Sequence, residues 1–141
     1  MKKTILATIV LTLAIVFAAV SQTPKAPKHH VVFQLTEPDG PAWNLIVLHV
    51  NNMREAFAND GGSEVEVVFF GQGLRMLQKS NTAYADRLKQ LSDSGVTLSA
   101  CQNAMRLMNI KTEDLFPFAA QVDSGVAELV RKQEAKWAYI H

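Results

Sequence analysis

Apolar residues fall in short, nearly unbroken runs separated by longer stretches of helical periodicity. Val31, Val32, Phe33 and Leu35 make the first run, within His29–Thr36. A continuous apolar run of this length fits a strand covered on both faces. Glu37-Pro38-Asp39-Gly40-Pro41 breaks it, and Pro41 suits the first turn of a helix. Ile46, Val50, Met53 and Phe57 then recur at helical spacing and predict a buried stripe on a helix over about 42–58. His49 lies near that stripe and reads as a semi-buried side chain. Asn59-Asp60-Gly61-Gly62 ends the helix, and Ser63–Phe70 is the second strand. Gly71-Gln72-Gly73 reads as a turn that needs glycine, followed by the short apolar segment Leu74–Leu77.

A helix over Tyr84–Leu91 stops at Gly95, and Val96, Thr97 and Leu98 begin a third strand. Ser99 with Gln102 three residues on has the form of a capping box, which predicts a helix from Ser99 with Cys101 in its first turn. Phe118–Val122 is a fourth strand. Asp123-Ser124 caps a helix over Gly125–Ala135 with Val126, Leu129 and Val130 as its apolar positions, and Trp137–Ile140 is a last strand. Strands alternate with helices, through connections too long for hairpins. The fold class expected is α/β, a mostly parallel sheet between helical layers.

Residues 1–21 stand apart. Lys2-Lys3, an apolar run from Ile5 to Val20 and small residues at Ala19-Val20-Ser21 have the three-part form of a secretory signal peptide. A periplasmic or secreted protein is expected, with no membrane attachment after cleavage; the alternative is an uncleaved segment that anchors the protein in a membrane. Residues 22–28 are a proline-spaced linker, and the domain is 29–141. A net charge of +1 without a basic run gives no footprint for nucleic acid.

Cys101 is the only cysteine, so there is no intrachain disulfide. Orphan amides and the dipole of a helix start stabilise a thiolate, which makes Cys101 the candidate nucleophile. In an open α/β sheet, sites form at the carboxyl ends of the strands. Thr36–Asp39, Gly71–Gly73, Ser99–Asn103 and Asp123–Gly125 fall there. Gln102, Asn103 and Ser124 are candidate donors to a sulfur anion or a bound oxyanion, and Gly71 and Gly73 belong to the same ligand-binding edge. A second reading is equally consistent with the spacing. Cys101, Ala104, Met105 and Met108 fall at i, i+3, i+4 and i+7, which fits inert packing.

Other chemistries find less support. No histidine is placed beside the cysteine by a motif, since His29 and His30 precede the first strand. That pair points to opposite faces and has no third ligand, so no metal is expected. Gly71-Gln72-Gly73 lacks the third glycine of a dinucleotide fingerprint, Met76 standing in its place, and no cofactor is expected.

His29–Leu35, the Gly71-Gln72-Gly73 turn, Gly95–Met105 around the cysteine, and Ser124–Glu134 with Trp137–Ile140 together resemble the DsrE/DsrF-like family. The resemblance implies a three-layer α/β/α fold with a five-stranded parallel sheet in the order 4-3-2-1-5. It implies a homo-oligomer, a trimer or hexamer. Better-known relatives pass sulfane sulfur as a persulfide, and by position that cysteine is Cys101. Sulfur donor and acceptor proteins would then be its partners. The expected function is an exported sulfur carrier or sulfurtransferase-like protein. The alternative is an oligomeric small-ligand-binding protein whose cysteine is structural.

Overall fold

The first two apolar runs become β1 (His29–Leu35) and β2 (Ser63–Phe69), which pair in parallel and in step from His29 with Ser63 to Leu35 with Phe69. This is a computed structural model, and it describes residues 26–141. The leader over 1–21 and residues 22–25 of the linker lie outside the described residues. At the linker's end, the Lys28 amide donates to the Gly61 carbonyl.

Three further strands complete the sheet: β3 (Thr97–Cys101), β4 (Ala120–Val122) and β5 (Ala138–Ile140). All neighbours are parallel, and the order is β4-β3-β2-β1-β5. The first four strands step in one direction across the sheet, and the chain then returns to lay β5 beside β1. Crossovers between parallel strands share one hand. A reversal of direction therefore moves the connecting helix to the opposite face.

The core follows that rule. On one face, Val31, Phe33, Val67, Phe69, Leu98 and Ala100 pack against α1 (Pro41–Phe57) and α2 (Thr82–Asp93), through Trp43, Ile46, Val50, Leu88 and Leu91. On the other, Val32 and Val68 meet Leu129 of α4 (Gly125–Glu134). The three-layer α/β/α arrangement is thus present with unequal layers, most of the apolar burial lying on the α1–α2 side.

Four local expectations change. β3 runs through Cys101, and α3 (Gln102–Leu107) starts one residue later, so Ser99 is no helix cap. Ser99 is held instead between Val68 and Ala120 in the ladder, and its hydroxyl donates to Glu66. Ladder pairing on both sides outweighs a local capping preference. The segment after β2 is a 3-10 helix over Gly71–Leu77, with Leu74, Met76 and Leu77 fully buried. Val126 and Val130 of α4 are exposed, leaving Leu129 as that helix's buried anchor. His49 is exposed on α1.

Gly73 has a packing role. A Cβ there would lie 2.3 Å from the Leu35 carbonyl oxygen. Gly73→Ala should therefore lower stability by about 1–3 kcal/mol, the usual cost of overpacking. A urea midpoint equal to wild type would show that the end of β1 can give way.

Candidate functional site

The carboxyl ends of β2, β3 and β4 converge on the Cys101 sulfur. Cys101 is the last residue of β3 and the N-cap of α3, and its sulfur accepts the Ala104 N–H at 3.4 Å. It also accepts the Gly125 N–H, the first amide of α4, at 3.1 Å. A sulfur acceptor thus satisfies orphan donors at the starts of two helices. Both donors are backbone amides in the first turns of helices, and among the described residues no imidazole hydrogen-bonds to the sulfur.

A pocket of about 330 Å³ opens over this sulfur. Phe70, Gly71 and Gln72 line it from the end of β2, Asn103 and Ala104 from α3, and Ser124, Gly125 and Val126 from α4. Leu107 and Met108 close the remaining side, and no lining residue is charged. Cys101 itself is only 5% exposed, so an incoming group must reach it through this pocket.

Gly125 is what allows the close approach. A Cβ at that position would meet the Phe70 ring at 2.8 Å. The Ser124 hydroxyl caps α4 by accepting the Ala127 N–H at 3.4 Å. Asp123, one residue earlier, accepts both terminal nitrogens of Arg131 at 2.9 and 2.8 Å. That guanidinium pairs with the carboxylate just before the α4 cap and holds it down to about 2.

The sequence candidates divide. Cys101, Asn103, Gly71 and Ser124 face the pocket. Gln102 does not: it is exposed and donates to Gln121 at 3.3 Å. Gly73 does not either, being packed under the Leu35 carbonyl. The Thr36–Asp39 stretch sits at the same sheet edge but lies outside the lining. Its Thr36 carbonyl accepts the Gly73 N–H, and the Glu37 carbonyl accepts the Trp43 indole. Sequence reasoning placed Gly125 at this edge without giving it a role, and it missed Phe70. The available signal was a glycine directly after a helix cap, where no backbone turn required one.

His29 and His30 lie at the opposite end of the sheet. His29 stacks on Phe57 and contacts Asp60, while His30 contacts Glu64 on the other face. Among the described residues no group of three His, Cys, Asp or Glu side chains is placed to hold a metal. No helix among them is long and apolar enough to cross a membrane.

The model of the DsrE/DsrF-like family matches residues 29–141, the whole of the sheet and its helices. The chain belongs to the DsrE/DsrF-like family. A solved relative, the protein of unknown function MTH1491 from Methanobacterium thermoautotrophicum, is 31% identical with a TM-score of 0.70, over 80% of this chain and 98% of that one. The ychN protein from E. coli shares the fold at a TM-score of 0.64 and 12% identity, over 81% of this chain and 97% of that one. No curated protein matches the chain.

In this DsrE/DsrF-like chain the Asp123–Arg131 pair makes a pH prediction. The carboxyl sits at about 2, below its usual 3.8. Its stabilising contribution is therefore complete above 3.8 and is lost as pH falls through about 2. Arg131→Ala should move the Asp123 titration back up toward 3.8, read by carboxylate NMR. An unmoved midpoint would show that the guanidinium is not its cause.

Proposed function

We propose that this DsrE/DsrF-like protein is an exported sulfur carrier that holds a persulfide on Cys101. The observation that carries the reading is a sulfur at the floor of a pocket at the sheet's carboxyl edge, receiving the first amide of α4 at 3.1 Å. The sulfur-relay association of the family supports it. The chemistry needs no cofactor. The Cys101 thiolate attacks the outer sulfur of a donor persulfide. A Cys101 S–S bond forms, the donor's S–S bond breaks, and the donor leaves as a thiolate that takes up a proton. An acceptor thiolate then attacks the outer sulfur and releases the Cys101 thiolate. Each transfer conserves electrons, and the Gly125 and Ala104 amides steady the anion at both ends of the cycle.

Export rests on the leader-like pattern of residues 1–21, and assembly as a trimer or hexamer rests on the family resemblance. Donor and acceptor proteins are its partners in this reading.

One observation favours a second reading. Cys101 is 95% buried and the pocket lining carries no charge, which suits an oligomeric binding protein for a small, largely apolar ligand, with the cysteine as packing.

Incubation with a persulfide donor should add the mass of one sulfur atom to the intact wild-type protein and nothing to Cys101→Ser. Thiol labelling of the folded protein should be fast at mildly acidic pH. Slow labelling with no mass addition would remove the carrier reading in favour of the binding one.

A further inference from the structure

Glu66 is the one buried charged side chain among the described residues, at 3% exposure. It sits in β2 between Val65 and Val67, on the face covered by α4. Its Oε1 accepts the Ser99 hydroxyl at 2.5 Å, and its Oε2 lies 2.6 Å from the Lys132 ammonium. Lys132 also lies 3.8 Å from Glu128 Oε1 and 3.9 Å above the centre of the Trp137 ring. A buried carboxylate needs such partners, because an unpaired charge there is expensive.

The partners belong to the two elements that build the cysteine site. Ser99 lies two residues before Cys101 on the same face of β3. Lys132 lies two helical turns after Gly125 on α4. One carboxylate therefore ties the strand that ends in the sulfur to the helix that begins with the amide donated to it. The apolar seat of α4 cannot do this alone. Leu129 is buried, but Val126 and Val130 are 60% and 48% exposed. A single buried leucine sets the height of a helix above a sheet better than its position along its own axis.

We propose that Glu66 is a positioning residue for Cys101. Through Lys132 and Ser99 it sets the axial seat of α4, and so the 3.1 Å contact from the Gly125 N–H to the sulfur. The functional consequence rests on the carrier reading; the geometric role does not. With the clamp in place the amide stabilises the thiolate that is released when sulfur is handed on. Without it α4 can slide and the donor is lost.

The test uses the paired change Glu66→Leu with Lys132→Met, which removes both charges and leaves none unpaired. The alkylation rate of Cys101 in folded protein is followed against pH, beside the urea midpoint and sulfur uptake by intact mass. The expected result is a variant that unfolds near the wild-type midpoint, with its alkylation profile displaced to higher pH. Its rate at neutral pH should be about tenfold lower, the scale of one hydrogen bond to a charged group. A wild-type profile in the folded variant would overturn the proposal. Should the paired variant not fold, Ser99→Ala carries the test, since it cuts the tie from Glu66 to β3 and leaves the Glu66–Lys132 pair intact. A displaced profile is expected, and a wild-type profile would overturn the proposal. Sulfur uptake by wild type is scored separately. A displaced profile without uptake removes the carrier reading and keeps the positioning role, whereas uptake with an undisplaced profile does the reverse.

Discussion

In-step parallel pairing is the constraint on which the remaining structure depends. β1 and β2 pair without offset over seven residues, and β3 and β4 extend the ladder on the same side. Parallel neighbours place every strand's carboxyl end at one edge of the sheet. The loops that leave β2, β3 and β4 consequently meet, although the residues they bring together are far apart in the chain. The same rule sends His29 and His30 to the opposite edge. Proximity in this molecule is decided by strand direction before any side chain is consulted.

The second constraint is the return of the chain through α4. The α1–α2 face is a conventional apolar interface. The α4 face combines a small apolar patch with a buried carboxylate, a lysine and a sulfur acceptor. Polar contacts are directional where apolar burial is not, so this thinner layer fixes α4 in register as well as in place. Gly125 completes the fit, since its missing side chain is the space occupied by the Phe70 ring. A sulfur that would otherwise be a small buried hydrophobe becomes the acceptor for two helix starts.

Much of this was legible before any fold was known. The apolar runs marked every strand. Their alternation with amphipathic stretches implied parallel pairing, and Ser124 was readable as a cap. The cysteine stood out as a lone thiol at a strand-to-helix corner. The misreadings share a cause. Ser99 looked like a cap because capping is judged over four residues, but its neighbours in the ladder lie 31 and 21 positions away. Val126 and Val130 looked like core because periodicity gives the apolar side of a helix and not the area of sheet available to cover it. Gln102 and Gly73 were drawn into the site by adjacency to residues that do face it. Glu66 carried a signal that was passed over, a charge inside an unbroken strand, where only pairing can make it tolerable.

Amino-acid order alone determined most of the elements, their parallel arrangement and the place of the one cysteine at the end of a strand, because these follow from local propensity, hydrophobic period and composition. Tertiary structure alone decided what its sulfur meets. The amide donated by Gly125 and the pocket wall of Phe70 come to Cys101 from distant stretches of chain, and Glu66 with Lys132 joins two of the elements that meet there. Such contacts are set by how strands register and how one helix settles on a sheet, which no window along the sequence contains.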